Sequence, residues 1–322
     1  MVILPAMQLY RHHTNLPPAA RSAALAIGNF DGVHRGHRAV IALAGAQARE
    51  LGRPFGLLTF EPHPREVLRP DGSPFRLTDF RTKVRILEGL GLDLLYVLPF
   101  VEALYSLPAE TFVSRVLHQG LGVAHAAVGD NFYFGAKRGG TPDLLVNLGR
   151  QHGFTVSVLP RVAAAGQAFS STAIRRQLAA GDMAGAALQL GRPWEIVGRV
   201  LHGAKRGREL GMPTANIDLG ASLRPAYGVY AVRVALDEGK APQWRPAVAN
   251  LGISPMFAYD RPLLEVHLLD FSGDLYGRRL RVALIERLRA EMTFDGLPAL
   301  MAQMQADAAQ ARSLLEARQA VG

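Results

Sequence analysis

At 322 residues and 49% hydrophobic, the chain has room for two domains of about 100 to 200 residues each and ample material for their cores. It carries no cysteine, which excludes disulfides and thiolate metal sites. Lysine and arginine outnumber aspartate and glutamate by 36 to 27, a net charge of +9 that suits anionic partners; but no dense basic run with interleaved aromatics marks a nucleic-acid surface, and no apolar stretch reaches the roughly 18 residues of a membrane helix. The opening MVILPAMQLYRHH lacks the basic start and long apolar region of a secretory signal, so a soluble cytoplasmic protein without membrane or nucleic-acid partners is expected.

The apolar run Ala23 to Ile27 predicts a buried strand. Gly28 and Gly32 permit a tight turn, and Gly36 opens a helical pattern that carries Val40, Ile41, Ala44, Ala48 and Leu51 inward. A strand, glycine turn and helix aim backbone N–H groups and the positive end of a helix at one spot, which suits a phosphate. His34 and His37 stand at its mouth, where imidazoles can donate hydrogen bonds or positive charge to oxygens that gain negative charge during phosphoryl or nucleotidyl transfer.

Strand and helix then alternate. Strands are expected at Gly56 to Phe60, Leu94 to Leu98, Ala124 to Val128 and Phe154 to Leu159, and helices at Asp79 to Gly89, Pro108 to His118 and Asp143 to His152. Such alternation predicts a parallel sheet with helices on both faces and sites at the carboxyl ends of its strands. Motifs fall there. His63, between two prolines, follows the second strand, and Asn131, with donors and acceptors for a base, ribose or flavin ring, follows the fourth. In FSSTAIRRQL the hydroxyls of Ser170, Ser171 and Thr172 precede a helical pattern and suit its N-cap, while Arg175, about one turn in, offers a planar fork of donors to phosphate.

Near Gly181 to Pro193 the texture changes. From Glu195 the runs are short, β-rich and punctuated by Gly and Pro (IVGRVLHG, GVYAVRV, AVANLGI, LLEVHLLDF, RLRVALIERL), and a helical pattern from Leu297 to Ala317 ends them. This spacing predicts a small closed barrel with a terminal helix packed on it. GAKRGRELGMPTANI suits a phosphate-binding turn through Gly203, Gly207, Gly211, Lys205, Arg206 and Arg208, although it is no GxxxxGK[ST] loop. Thr214 and Asn216 share a face if extended and present hard oxygen donors suited to Mg²⁺, although such residues also serve simply as turn-makers.

GNFDGVHRGH, Gly28 to His37, resembles the adenylyltransferase half of the bacterial bifunctional riboflavin kinase/FAD synthetases, and FSSTAIRRQL resembles that family's SSTxIR motif. In the second half PTAN, GVYAV (Gly228 to Val232), LEVHLLDF (Leu264 to Phe271), LYG (Leu275 to Gly277) and LRAEMTFD (Leu288 to Asp295) resemble its riboflavin kinase domain, over nearly all of Arg192 to Arg312. The resemblance implies two domains, 1–187 for FMN adenylylation and 188–322 for riboflavin phosphorylation. It also implies that riboflavin, FMN and ATP are substrates, with Mg²⁺ as cofactor. Gly28, Asp31, Gly36, His34 and His37 would meet the ATP phosphates, Asn131 the adenine or flavin side, and Ser170, Ser171, Thr172 and Arg175 the departing β and γ phosphates. In the kinase half Gly203 and Lys205 would hold phosphate, Thr214 and Asn216 the Mg²⁺, Glu265 would be the general base, Tyr276 would border ATP, and Arg289 and Phe294 the flavin. Pro255, Met256 and Phe257 depart from a family pattern close to PTF, and Met212 stands where Phe is common. Three rivals are a different His-x-Gly-His nucleotidyltransferase or synthetase fragment, a flavin- or RNA-binding regulator that keeps the fold without the chemistry, and a chain with one active half. The first lacks a KMSKS-like string; a pure binder has no use for Glu265.

Overall fold

The computed structural model describes residues 7–164, 167–201, 212–238, 242–253 and 262–319. Strands β1 (Gln8–Tyr10), β2 (Ala24–Ile27), β3 (Phe55–Glu61), β4 (Leu94–Pro99), β5 (His125–Gly129) and β6 (Thr155–Leu159) form a parallel sheet in the order β1-β4-β3-β2-β5-β6. Between them run α1 (Arg35–Leu51), α2 (Pro64–Leu68), α3 (Phe80–Glu88), α4 (Glu102–Tyr105), α5 (Ala109–Thr111) and α6 (Pro142–His152). Alternate residues of each strand feed two cores, as a doubly covered sheet requires. Leu25, Leu58, Tyr96 and Ala126 pack with Val113, Val116 and Leu145 on one face, while Ala26, Leu57, Leu95 and Ala127 pack with Val40, Ile41 and Leu87 on the other.

The helix expected over 108–118 is a single turn, α5, continued by a π-helical segment, Phe112–Leu121. Its buried residues Phe112, Val113, Val116, Leu117 and Leu121 still reach one core, as the expected helix would have placed them. β1 was not anticipated, because three residues on a sheet edge have too little apolar alternation to register. The short hairpin β7 (Ala163–Ala164) and β8 (Gln167–Ala168) escaped for the same reason.

The second unit contains α7 (Ser171–Ala180), α8 (Met183–Leu190), β9 (Trp194–Leu201), β10 (Ala215–Asp218), β11 (Gly228–Leu236), β12 (Arg245–Gly252), β13 (Leu263–Leu268), β14 (Arg279–Arg289) and α9 (Leu297–Gln319). Its strands close an antiparallel barrel in the order β10-β13-β12-β11-β14-β9. Ile217, Tyr230, Ala249, Leu264 and Val282 fill the inside, and α9 lays Ala311 and Leu315 on Val229, Ala231 and Val248 outside. By packing, the chain divides into Met1–Ser73 with Phe80–Ser170 and Pro74–Asp79 with Ser171–Gly322. That boundary precedes the one expected at 187/188, because Ile174, Leu178, Met183 and Ala186 share a core with Trp194 and Ile196, and the Trp194 indole donates to the Leu77 carbonyl at 2.8 Å.

His125 opens β5 at 2% exposure, with Nδ1 2.7 Å from the Thr155 hydroxyl and Nε2 buried without a hydrogen-bond partner. Burial pushes its pKa below the usual value of 6.5, against a smaller opposing pull from Glu50. The unfolded chain therefore binds a proton that the folded chain refuses, so this group costs stability as pH falls below about 6.5 and costs nothing above it. His125→Gln is expected to flatten the fall of the denaturation midpoint between neutral and mildly acidic pH; an unchanged slope rejects this assignment.

Candidate functional site

After β2 the chain passes to β3 on one side, while β5 flanks β2 on the other. The carboxyl ends of β2 and β5 thus form the switch point where open α/β sheets bind ligands. The turn that leaves β2 is tightly wound, with positive φ at Phe30 (50°), Gly32 (85°) and Val33 (43°). Phe30 and Val33 are buried, and the Phe30 ring lies 3.3 Å from where a Cβ on Gly28 would stand.

His34 is the N-cap of α1; its Nδ1 accepts from the backbone N–H of His37 at 3.2 Å, which leaves the proton of the neutral ring on Nε2. The two imidazoles stack with centroids 3.6 Å apart, and His37 meets the Phe30 ring edge-on at 5.3 Å. A Cβ on Gly36 would stand 3.1 Å from two His34 ring atoms, so a larger residue there would press on the imidazole. Local chain geometry therefore gathers Gly28, Asp31, His34, Gly36 and His37, with Asp31 only 3% exposed. Asn131 is exposed just beyond the end of β5, the strand beside β2. His63 is the N-cap of α2, its Nδ1 accepting from Arg65 N–H at 3.1 Å.

Ser170 ends the first packing unit; Ser171 and Thr172 begin α7 in the second. Arg175, one turn on, donates Nε–H to the Phe75 carbonyl at 2.8 Å and lies 5.4 Å above the Phe75 ring.

In the barrel, strand register does what sequence spacing could not. Leu201, Asn216, Glu265, Asn250, Val229 and Arg289 are successive cross-strand partners on β9, β10, β13, β12, β11 and β14. Partners directly opposite share a face, and the neighbours Ala215, Ile217, Leu264, Val266, Ala249 and Leu251 fill the interior, so this row runs around the outside. Asn216 and Asn250 consequently flank Glu265. Asn216 Oδ1 is buried without a hydrogen-bond partner, a state that costs roughly 1 to 3 kcal/mol unless a ligand satisfies it. Thr214 immediately precedes β10 and is partly buried. The preceding Pro213 carbonyl accepts from His267 Nδ1 at 2.9 Å.

The Arg289 guanidinium forks onto Asp307 of α9 through Nε (2.9 Å) and a terminal nitrogen (2.7 Å), and Gln303 donates to the same carboxylate. It also lies 5.8 Å from the centre of the Phe294 ring. Tyr276 is half-buried against the barrel core, its N–H donating to Asp274. Gly203 and Lys205, with the rest of their loop, and Pro255 to Phe257 fall outside the described residues. Asn250 and His267 were not singled out from sequence, because only strand pairing sets them beside Glu265 and Pro213. Among the described residues no cluster of three or more His, Asp or Glu side chains could hold a metal, and no helix is long and apolar enough to cross a membrane.

Residues 16–173 match the family model for FAD synthetase, and residues 190–315 that for riboflavin kinase. A bifunctional riboflavin kinase/FMN adenylyltransferase of Pseudomonas fluorescens is 47% identical over 96% of this chain and 98% of its own. The Escherichia coli K12 protein of the same name is 42% identical over 95% and 97%. A crystal structure described as a macrolide-efflux protein from Streptococcus pneumoniae superposes with a TM-score of 0.83 at 29% identity, covering 96% of this chain and 99% of that one. With both family models matched in order and the relatives aligned almost end to end, the chain belongs to the bifunctional riboflavin kinase/FMN adenylyltransferase family, which phosphorylates riboflavin with ATP to FMN and adenylylates FMN with a second ATP to FAD, releasing pyrophosphate.

Proposed function

We propose that residues 1–187 carry FMN adenylylation and 188–322 riboflavin phosphorylation, with the residue roles that follow. The observation that carries the kinase assignment is the outer row of the barrel, where Glu265 lies between Asn216 and Asn250 and Asn216 holds an unsatisfied buried oxygen. Glu265 takes the proton from the ribityl 5′-hydroxyl as its oxygen bonds to the γ-phosphorus of ATP and the bond to the β-phosphate oxygen breaks, leaving ADP. ATP-dependent transfers of this family generally use a divalent metal. Asn216 and Thr214 supply hard oxygen ligands that fit Mg²⁺, which neutralises phosphate charge when bound. Phosphate oxygens and water would complete the sphere of such an ion, since Mg²⁺ usually keeps few protein ligands. Tyr276 borders the nucleotide; Phe294 offers the flavin a ring face, set in place by Arg289 and its anchor on Asp307.

In the adenylyl transfer a phosphate oxygen of FMN bonds to the α-phosphorus of ATP, and the bond to the β-phosphate breaks. The FMN phosphate is already anionic near neutral pH, so no side chain has to remove a proton, and the protein's part is positioning and charge stabilisation. His34 and His37 donate to the ATP phosphates at the turn of Gly28, Asp31 and Gly36, and Asn131 contacts the adenine or flavin. Ser170, Ser171, Thr172 and Arg175 hold the β and γ phosphates that leave. A cytoplasmic location accords with the use of ATP twice. Incubating the purified chain with riboflavin, ATP and either Mg²⁺ or a chelator, and following FMN and FAD by chromatography, tests the scheme; product formation that ignores the chelator removes the metal from it.

Packing refines the domain assignment into a prediction. A fragment from Ser171 keeps the helices that cover Trp194 and Ile196, whereas one from Leu188 loses Ile174, Leu178, Met183 and Ala186 from the same core. Both are expected to phosphorylate riboflavin, the shorter with a melting temperature lower by several degrees or more, since each buried aliphatic side chain contributes about 1.5 to 3 kcal/mol. Equal melting temperatures would show that α7 and α8 add nothing to the barrel.

A further inference from the structure

Lys83 is the most deeply buried cation among the described residues, 1% exposed on α3, and none of the roles above uses it. Its ammonium donates to Glu61 Oε1 at 3.0 Å and to the backbone carbonyl of Asn29 at 3.1 Å. The Thr59 hydroxyl, itself 0% exposed, donates to that same carbonyl at 3.2 Å. Two side chains from different elements thus converge on one peptide oxygen.

Asn29 is the residue between Gly28, whose N–H is tied to Leu58 O at 3.1 Å, and the left-handed Phe30. A bulky residue and a β-branched one, Phe30 and Val33, both hold positive φ in this turn, a conformation that costs on the order of 1 to 3 kcal/mol each and persists only where the surroundings over-determine it. Apolar packing of the Phe30 and Val33 side chains supplies part of that restraint. It acts on side chains, whereas the two donors act directly on the Asn29 peptide oxygen. A neutral hydroxyl alone would hold one lone pair of that carbonyl; the buried ammonium, neutralised by Glu61, adds a charge-assisted bond that resists rotation of the peptide.

We infer that Lys83, seconded by Thr59, is a positioning residue for adenylyl transfer: it locks the Asn29 peptide so that the turn from Gly28 to His34 meets the nucleotide phosphates in one geometry. This rests on the reading of that turn as the adenylylation site. Lys83 touches no substrate in this role, and a shift of the turn by about 1 Å suffices to cost up to 10²-fold in rate.

The test uses the full chain with three variants, Lys83→Met, Lys83→Met/Glu61→Gln and Thr59→Val, assayed for FAD formation from FMN and for riboflavin phosphorylation. The double variant leaves no buried carboxylate without a counter-charge, so it decides if the single one fails to fold; Thr59→Val, close in shape and without charge, decides if neither Lys83 variant folds. The expected result is a fall in kcat for FAD formation of about 10- to 100-fold on losing Lys83 and a smaller fall on losing Thr59, with the KM for FMN and the riboflavin phosphorylation rate within about twofold of the parent. A merely structural lysine would lower the melting temperature and leave kcat at 25 °C alone. Folded variants with unchanged kcat overturn the inference, provided that His37→Ala is defective in the same assay. If His37→Ala is also unaffected, the assignment of the turn itself falls.

Discussion

Glu265→Gln is expected to lower riboflavin phosphorylation by about 10²- to 10⁴-fold while FAD formation from supplied FMN proceeds at the parent rate. Glutamine keeps the length and polarity of the side chain and can hydrogen-bond to both flanking amides, Asn216 and Asn250, so packing on the outer face of the barrel is preserved and only proton acceptance is lost. The second reaction needs no base, because the attacking FMN phosphate is already ionised. Two results count against this assignment. Retained phosphorylation leaves Glu265 as a structural strand carboxylate, and loss of FAD synthesis from FMN shows that the two reactions are coupled through a shared group.

His37→Ala is expected to cut FAD formation by about 10²-fold or more and to let FMN accumulate from riboflavin. The substitution is cleaner than His34→Ala. The helix cap at α1 runs from the backbone N–H of His37 to the ring of His34, so alanine at 37 keeps it, whereas alanine at 34 removes a cap worth about 1 kcal/mol along with the imidazole. What His37→Ala does remove is the stacked partner of His34 and the edge contact with Phe30. If riboflavin phosphorylation falls as sharply as FAD formation, the assignment of this turn to the second reaction is wrong.

Much of this was legible in advance, and the residues say why. Ala24–Ile27, all four buried, is an unbroken apolar run, and α1 buries Val40, Ile41, Ala44 and Ala48 at helical spacing, although Leu51, expected inward with them, is exposed at its last position. The strong strings, GNFDGVHRGH and SSTAIRRQL, fold into single local units, a turn with its helix and a helix start, so their spacing in sequence is their spacing in space. The alternating β runs of the second half likewise announced a barrel, and strand register then set Asn216 and Glu265 together on the face opposite its lining.

Other features depend on which distant segments meet. His267 lies inside the LEVHLLDF string and Asn250 inside an ordinary β run, but neither was singled out; register sets Asn250 opposite Glu265 and a hydrogen bond ties His267 to Pro213. Lys83 reads as an ordinary helical lysine until α3 is placed, whereupon its ammonium lies against Asn29 and Glu61. Helices α7 and α8 look like the tail of the first half, and only core packing assigns them to the barrel. The sequence by itself thus determined most of the elements, the local glycine turn with its two histidines and the family, since backbone periodicity and short motifs act over a few residues. Strand order, cross-strand neighbours, the buried cation under the turn and the packing boundary were decided by tertiary structure alone, because each is a contact between segments whose separation along the chain carries no local pattern.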